Sequence, residues 1–444
     1  MKSVFIIYRS NYYRYFSRII ESYARQGVSI ELWLDRTSSL IEPPFEEKIK
    51  KNINLIEFSD EIDLSKRIKE SQDIDFFFSL HPFSGKLDEE IYKKINNKWA
   101  IIMHGIDSYL EIRDWHLNHK NKYLESGYVR HFYPYSKYIH KIGLDWLAKY
   151  KTKESKENCN FFSSKKTLTH YSEAPFITDS SEKLNTSHIK QKYSLDPEKK
   201  VLVYLPFPFS SGRFDVPLSN ALHTAFSGIN HPIKLYSSSF RQSFKNIVLL
   251  LRKIKNFLLI FRFGESRRIY CLENNEIAVI EQIKQFCDKN KFSFVVKARK
   301  KFSVPQNLTD VADLVVFGND DQQNPSEFQE LSQISDLTIG YTTTSVFESI
   351  FYGVPFINIS FPREFFGYGE YSYELHSQRE GFIYNYPGVV TNLSYDEFIA
   401  KFATFEPGSF EMISESEIDY RKHFLGLDFL FDDKDYIKNF KNRS

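Results

Sequence analysis

The sequence predicts an α/β protein of two domains, each built on a parallel sheet covered by helices. Strand-like and helix-like segments alternate through the first part of the chain, and the alternation restarts after a polar stretch near residue 187. Strands separated by helices in this way are typical of βαβ units. The chain has 444 residues, of which 42% are hydrophobic and 17% aromatic, so it can form two cores.

The first domain is predicted over residues 1–186. Its strand-like runs read SVFIIY, VSIELWL, NLIEF, DIDFFFSL and WAIIMHG. Helix-like segments lie between them and include YRYFSRIIESYARQG, KLDEEIYKKINN and a basic segment around FEEKIKK. Short β-branched and aromatic runs of this kind favour strands buried inside a parallel sheet. The opening MKSVFIIYRS has an apolar run too short for a signal peptide, so it is predicted to be the first strand.

The second domain is predicted over residues 187–415, with an insertion at 217–273 and a C-terminal helical tail at 416–444. Its strands are predicted in VLVYLPFPF, FSFVVKA, ADLVVFG, DLTIGY and VPFINIS, and its main helices in NEIAVIEQIKQFCDKN and PSEFQELSQI. The polar stretch SSEKLNTSHIKQKYSLDPEKK reads as a linker that ends in a short helix. Two consecutive units of similar size predict two Rossmann-like domains with a ligand-binding cleft between them.

Composition excludes several classes of protein. The net charge of +2 does not indicate a nucleic-acid partner. Cys159, Cys271 and Cys287 lie far apart, which favours a reducing compartment over a disulfide framework. The chain has no apolar run of roughly 18 residues that would predict a membrane-spanning helix. These observations predict a cytoplasmic protein.

The predicted insertion contains a strongly basic segment at 234–268. Its centre, FKNIVLLLRKIKNFLLIFRF, mixes large apolar residues with cations, and Glu265 is the one acidic residue of the segment. A basic amphipathic helix suits the inner face of an anionic membrane, where it would make the protein peripheral. A helix packed on the sheet with solvated cations is the alternative, and an acidic acceptor or protein partner could use the same surface. The cations are Lys234, Arg241, Lys245, Arg252, Lys253, Lys255, Arg262, Arg267 and Arg268.

The stretch GYTTTSVFESIFYGVP holds a candidate anion site. Hydroxyl residues at Thr342–Ser345 follow an apolar strand, and the next segment has helical spacing up to Gly353. A helix N-terminus at the carboxyl end of a parallel strand favours a phosphate, because its N–H groups and dipole attract negative charge. The alternative is that the hydroxyls only cap the helix and that Glu348 is a surface residue supporting the helix start.

Three segments, in this order, resemble the C-terminal domain of the two-Rossmann-domain (GT-B) glycosyltransferases and their polyol-phosphate transferase relatives. They are HIKQKYSLDPEKKVLVYLPFPF, EIAVIEQIKQFCDKNKFSFVVKARKK and FQELSQISDLTIGYTTTSVFESIFYGVPFINIS, and the resemblance covers roughly Ser187–Ser360. The later segment FPREFFGYGEYSYE is similar to an aromatic- and glycine-rich segment of bacterial Kdo transferases, which use CMP-activated 3-deoxy-octulosonic acid. Two departures concern the donor: KARKK replaces a Lys-Pro-His-Pro motif, and of a paired-glutamate signature only Glu348 is present.

The resemblance implies a metal-independent glycosyltransferase without a cofactor. The expected donor is a nucleotide-sugar, with a CMP-Kdo-like keto-sugar favoured, and the expected acceptor is a bacterial lipopolysaccharide, capsule or other glycan or glycolipid. A CDP-polyol phosphotransferase and a nucleotide-sugar 2-epimerase of the same fold remain alternatives. A non-enzymatic scaffold that docks at membranes through the basic insertion is a further one.

Donor-binding residues are expected in the second domain. Thr343, Thr344 and Ser345 are the phosphate candidates, since hydroxyls and helix N–H groups can replace a metal there. Glu348 would accept hydrogen bonds from ribose hydroxyls, a role that the resemblance supports.

Two cations at the end of the FSFVVKA strand complete the donor candidates. Lys297 and Arg299 could pair with a phosphate or with a sugar carboxylate. An ordinary solvated strand end is the alternative.

Catalytic candidates are expected mainly in the first domain. His104 ends one predicted strand, with Asp107 just beyond it, and His81 ends a neighbouring strand. A histidine at a strand's carboxyl end is well placed for a cleft and can act as a base, although a structural, hydrogen-bonded role is equally open. Asp215, in the second domain, is a candidate nucleophile for a retaining reaction. His116 and His119 lack a third ligand, so no zinc site is predicted.

Overall fold

The fold was analysed in a computed structural model. It describes residues 1–8, 10–36, 51–83, 85–105, 108–109, 129–149, 168–169, 171, 174, 186–206, 276–298, 306–317, 326–360 and 380–426. Chain contacts divide the protein into two compact units. Unit 1 comprises Met1–Glu182, Asp320–Ser326 and Ile418–Ser444, and unit 2 comprises Lys183–Asn319 and Glu327–Glu417.

Seven parallel strands form the sheet of unit 1. They are β1 Lys2–Ile7, β2 Ser29–Asp35, β3 Ile53–Phe58, β4 Phe76–Ser79, β5 Trp99–Ile102, β6 Val129–Tyr133 and β7 Leu168–Thr169. Their order across the sheet is β3-β2-β1-β4-β5-β6-β7. Phe5 on β1 lies opposite Leu32 on β2 and Phe78 on β4. The order reverses between β1 and β4, and ligands of such sheets bind at the carboxyl ends of the strands at this point.

Helices connect and cover these strands. They are the 3₁₀ helix Ser10–Tyr15, α1 Ser17–Arg25, α2 Glu61–Glu70, α3 Glu89–Ile95 and α4 Lys137–Lys149. The side chains of Asp60 and Asp88 accept backbone hydrogen bonds at the starts of α2 and α3, as expected for N-cap aspartates. Large aromatic side chains fill the core: Phe5 stacks on Phe78 with ring centroids 4.8 Å apart. Dense aromatic packing of this kind makes the sheet a rigid base for the residues at its carboxyl edge.

Six parallel strands form the sheet of unit 2. They are β8 Lys200–Tyr204, β9 Phe292–Ala298, β10 Leu314–Phe317, β11 Leu337–Gly340, β12 Phe356–Ser360 and β13 Val390–Ser394. The order β10-β9-β8-β11-β12-β13 repeats the arrangement of the first six strands of unit 1. The reversal therefore falls between β8 and β11, and it places the end of β11 where the sequence predicted an anion site.

The helices of unit 2 complete its two apolar layers. They are α5 Thr186–Lys192, α6 Glu276–Asn290, α7 Gln306–Val311, α8 Glu327–Ile334, α9 Ser345–Phe351 and α10 Tyr395–Lys401, with 3₁₀ helices at Phe402–Thr404 and Pro407–Phe410. After them, α11 Ser414–Tyr420 crosses from unit 2 into unit 1, and a π-helix at Arg421–Leu425 belongs to unit 1. One core cluster packs α6 and α10 on the sheet, and a second packs α5 and α8. Burial of Cys287 in the first cluster raises the pKa of its thiol, which makes it an unreactive core residue.

The predicted fold class is confirmed: the protein is α/β, with two Rossmann-like units of parallel strands. The sequence did not predict β6, β7 and β13, which are short segments that mix polar and apolar residues, nor several helices, among them α2 and α4. The predicted basic helix near FEEKIKK and the insertion at 217–273 lie outside the described residues. Within the described ranges, no helix is both long enough and apolar enough to span a membrane.

Candidate functional site

The carboxyl ends of β4 and β5 bring two of the predicted catalytic residues together. His81 follows β4 and His104 follows β5, and their ring centroids are 4.8 Å apart. Both rings are partly exposed. Because parallel neighbouring strands end at the same edge, two histidines that are far apart in sequence form one pair. Histidine can exchange protons near neutral pH, so the pair can serve as a proton-transfer site.

Two serines hold this histidine pair in place. The Oγ of Ser108 lies 3.0 Å from Nδ1 of His104 and accepts a hydrogen bond from its backbone N–H at 3.2 Å. The hydroxyl of Ser79 donates to the carbonyl of His81 at 2.6 Å, and the buried Trp99 indole donates to Ser79 at 2.9 Å. The contact with Ser108 thus orients the imidazole ring of His104 through Nδ1.

Tyr109 anchors the segment that carries Ser108. Its hydroxyl lies 2.8 Å from Nδ1 of His140 on α4, and a side chain at Gly143 would come within 2.5 Å of its ring. Burial raises the pKa of Tyr109 and lowers the pKa of His140 from 6.5 to about 4. Both groups therefore stay neutral near pH 7, and they form a structural pair.

The sequence analysis missed the tyrosines that line the histidine pair. Tyr12 lies 5.5 Å from the ring of His81, and Tyr15 lies 6.4 Å from the ring of His104. Both come from the 3₁₀ helix that directly follows β1. A signal was present in the sequence, because YRSNYYRYF follows the first strand of a sheet whose ligand site adjoins that strand.

The predicted phosphate turn lies at the carboxyl end of β11. The backbone N–H of Thr342 donates to Oδ1 of the fully buried Asn358 at 2.8 Å, and Asn358 donates to Asn392 at 2.8 Å. The Oγ1 of Thr343 accepts from the N–H of Ser345 at 3.3 Å. Thr344 occupies the N-cap position but makes no capping hydrogen bond through its side chain, so the expected capping is supplied by Thr343 instead. The side chain of Asn358, itself bonded to Asn392, thus holds the turn through a hydrogen bond. Thr344 is exposed to solvent.

Glu348 lies one turn into α9 and is 3% exposed. The alternative of a surface glutamate at the helix start is therefore wrong. Burial of a carboxylate is costly unless hydrogen bonds or a positive dipole offset it, and the start of a helix supplies part of that compensation. In sequence, Glu348 follows the hydroxyl turn by three residues, in the first turn of α9.

Lys297 is buried on β9 and pairs with an acidic residue. Its side chain is 5% exposed, and its ammonium lies 3.2 Å from the Glu327 carboxylate on α8. For Lys297, the alternative of a solvated strand end is therefore wrong. Because Glu327 compensates the charge, a phosphate would have to compete with this buried ion pair for Lys297.

The remaining predicted site residues lie outside the described residues: Asp107, Asp215 and Arg299. The same holds for His116 and His119. Within the ranges that the structure describes, no group of three or more His, Cys, Asp or Glu side chains is arranged as a metal site.

Comparison with known proteins supports the fold. No protein-family model matches the sequence, and no curated protein matches it. Among solved structures, the UDP-GlcNAc 2-epimerase from Neisseria meningitidis bound to UDP-GlcNAc has a TM-score of 0.50 at 11% identity, covering 100% of both chains. The wall teichoic acid polymerase TagF also has a TM-score of 0.50, at 12% identity, covering 100% of this chain and 90% of its own. At such low identity the likeness shows the fold alone, which is the GT-B fold with two Rossmann-like units.

Proposed function

We propose that the protein is a glycosyltransferase that moves a sugar from a nucleotide-activated donor to a glycan acceptor. The observation that carries this proposal is the end of β11, where a hydroxyl turn held by the Asn358 amide is followed, in the first turn of α9, by the buried Glu348. The turn suits a phosphate and the carboxylate suits the hydroxyls of a ribose, so the two together fit a nucleotide.

In this proposal unit 2 binds the donor. Thr343, Thr344 and Ser345 offer hydroxyls and backbone N–H groups to the phosphate that leaves with the nucleotide. Such donors stabilise the charge that develops on the leaving group, which is the task that a metal performs in other enzymes. The proposed reaction therefore needs no metal or cofactor. Glu348 holds the ribose, and Lys297 and Arg299 stay candidates for a sugar carboxylate.

Unit 1 binds the acceptor and supplies the base. His104 takes the proton of the acceptor hydroxyl at Nε2 while Ser108 holds Nδ1. His81, in ring contact with His104, can stabilise or relay that proton. Asp107 is proposed as a further acidic catalytic group. Asp215 is proposed as the nucleophile if the reaction retains configuration.

The favoured donor is a CMP-linked keto-sugar of the Kdo type, and the favoured acceptor is a lipopolysaccharide, capsule or other glycan or glycolipid. The similarity of FPREFFGYGEYSYE to Kdo transferases supports this choice. The fold comparison adds that one structure of the same fold was solved with UDP-GlcNAc and another is a wall teichoic acid polymerase. The basic segment 234–268 would bring the enzyme to an anionic membrane that carries such an acceptor.

A thermal-shift panel with CMP, CDP, UDP, GDP and ADP tests the donor site. A nucleotide at about 100 times its dissociation constant stabilises by roughly 2.7 kcal/mol, which raises the melting temperature by several degrees. We expect a shift with one nucleotide that is smaller in Ser345→Ala and unchanged in Ser409→Ala, an exposed serine of the same unit. CMP alone would support a Kdo-type donor. No shift with any nucleotide would reject the proposal and favour the membrane-docking scaffold.

Product analysis separates the enzymatic alternatives. A transferase releases free nucleotide only as sugar appears on the acceptor, whereas a 2-epimerase converts the nucleotide sugar without an acceptor. A CDP-polyol phosphotransferase would release CMP and leave a phosphodiester in the product. Incubation with each donor class, with and without acceptor, followed by mass spectrometry distinguishes these three outcomes.

A further inference from the structure

We propose that Tyr8, Tyr12, Tyr15, His81 and His104, here called the Tyr–His patch, form a subsite that binds a pyranose ring of the acceptor. The patch lies at the carboxyl edge of unit 1, where β1, β4 and β5 end. The inference rests on the proposed function, since it names the part of the acceptor that this unit holds.

Four rings of the patch form a closed circuit. The ring centroids of Tyr12 and His81 are 5.5 Å apart, and those of His81 and His104 are 4.8 Å apart. His104 and Tyr15 are 6.4 Å apart, and Tyr15 returns to Tyr12 at 6.4 Å. Tyr8 adds a fifth ring 6.3 Å from His81. Each ring is thus positioned by at least one other ring, as in a built aromatic surface.

Contacts below the patch keep its rings in place. Tyr8 packs edge-on against the buried Phe58, with centroids 5.9 Å apart. The guanidinium of Arg14 lies over the ring of Tyr15 at 5.0 Å and donates to its hydroxyl at 3.2 Å. Ser79 and Ser108 hold the two histidines. A rigid surface loses little conformational entropy when a ligand binds.

The exposure of the rings distinguishes the patch from the core beneath it. Phe5 and Phe78, on the same strands, are fully buried. Tyr8, Tyr12, His81 and His104 each stay partly exposed at the strand ends, whereas Tyr15 is 7% exposed and supports the patch from within. Tyrosine offers a flat apolar face and a hydroxyl at its rim. The C–H face of a pyranose matches the ring, and its equatorial hydroxyls match the hydroxyl of the partly exposed Tyr12 and the imidazole nitrogens. A sugar seated on Tyr12 and His81 would also lie next to His104, the proposed base.

The test is saturation-transfer-difference NMR on the full chain, with the methyl glycosides of glucose, galactose, N-acetylglucosamine and Kdo at millimolar concentration. Glycerol, which has no ring face, is the control ligand.

We expect transfer to the ring C–H protons of at least one glycoside in wild type. Loss of one stacking contact should weaken its binding by about five- to tenfold in Tyr12→Ala. Tyr12→Phe keeps the ring and should retain most of the signal. Tyr92→Ala, on α3 outside the patch, should match wild type.

The nucleotide thermal shift, measured on the same variants, separates this inference from the proposed function. A shift retained in Tyr12→Ala together with lost glycoside binding supports both. Glycoside binding that is lost in Tyr12→Ala, in a protein that binds no nucleotide, supports the patch and rejects the transferase. No transfer from any glycoside in wild type, or equal transfer in wild type and Tyr12→Ala, overturns the patch. Tyr12→Phe guards against a folding defect in Tyr12→Ala, because it keeps the ring. If Tyr12→Phe binds the glycoside as weakly as Tyr12→Ala, the stacking role of the patch is rejected.

Discussion

Ser108 makes two contacts with His104, one to the backbone and one to Nδ1 of the ring, and so fixes the orientation of that ring. The protonation site of a histidine is decided by the partner of its other nitrogen. At the scale of single residues, a small neighbour therefore sets the orientation of the proposed base.

Replacing the proposed base should abolish transfer without affecting the donor site. We expect His104→Ala to lower kcat by about 10² to 10⁴, because general base catalysis contributes that range. The nucleotide thermal shift should stay at the wild-type value, since the turn at Thr343–Ser345 belongs to unit 2.

The neighbouring serine supplies the matched test. Ser108→Ala should lower kcat by about tenfold with KM unchanged and alter the pH profile, whereas Ser108→Thr, which keeps the hydroxyl, should restore most activity. Full activity of His104→Ala would contradict its role as the base.

The buried His140 should make stability depend on pH. Burial lowers its pKa from 6.5 to about 4, so between these values the unfolded chain takes up a proton that the folded chain does not. The free energy of unfolding therefore falls as the pH decreases from about 6.5 to about 4. Above about 6.5, the pKa of this histidine in the unfolded chain, none of that stability is lost. Allowing for the partial exposure of the ring, we expect a loss on the order of 1–2 kcal/mol.

Urea denaturation at about pH 7 and about pH 4.5 measures this loss. His140→Gln keeps a polar partner for Tyr109 but does not titrate, so its free energy of unfolding should fall less over the same interval. An identical pH dependence in wild type and His140→Gln would assign the effect to other groups.

The same pair of aspartate hydrogen bonds occurs at the start of three strands. Asp75, Asp313 and Asp336 directly precede β4, β10 and β11. Each accepts, through its carboxylate, the backbone N–H of a residue on the neighbouring parallel strand, at 2.8, 2.7 and 2.8 Å. Each also donates its own N–H to the carbonyl of that same residue. The pair of bonds closes the sheet edge where the ladder begins and sets the register of the strand that follows.

Removing one of these carboxylates should weaken the sheet of unit 2. We expect Asp336→Ala to lower the free energy of unfolding by about 1–2 kcal/mol, because a charge-assisted bond to the Val201 N–H is lost. Asp336→Asn, which keeps an acceptor oxygen, should cost less. Asp288→Ala removes only an exposed ion pair to Lys284 and should cost under about 0.5 kcal/mol. Equal losses in Asp336→Ala and Asp288→Ala, measured by urea denaturation, would show that the bond from the Asp336 carboxylate does not stabilise the sheet.

At the scale of the whole molecule, the chain returns to unit 1 after completing unit 2. Tyr420, Phe424 and Leu425 are fully buried, and the N–H of Ala174 donates to the carbonyl of Leu425 at 3.0 Å. The Ser136 hydroxyl donates to the carbonyl of His423, and Phe424 contacts Tyr138 on α4 with ring centroids 5.3 Å apart. The last described turns are thus part of the unit 1 core, although they follow unit 2 in sequence.

A substitution in this segment should therefore destabilise unit 1. We expect Phe424→Ala to cost about 3–5 kcal/mol, the usual range for a buried phenylalanine. Hydrogen exchange should rise in β4 and β5 while β8 and β9 stay protected, because each unit has its own core. Ile418→Ala is the control, since that side chain is 64% exposed. A rise confined to unit 2 would contradict the assignment of this segment.

The sequence by itself determined the fold class and part of the site. Alternating apolar runs predicted both sheets, because buried parallel strands need continuous hydrophobic segments. Histidines and hydroxyls placed directly after such runs predicted His81, His104 and the Thr343–Ser345 turn as residues of the carboxyl edge.

Only the tertiary structure decided which side chains contact each other and which charged side chains are paired with an opposite charge. The contacts of His81 with Tyr12, of Lys297 with Glu327, and of Thr342 with Asn358 join residues on different elements. Local periodicity reports the face on which a side chain lies, whereas partners depend on strand order and register, which long-range packing sets. The burial of Glu348 and the return of the C-terminal segment to unit 1 follow from the same cause.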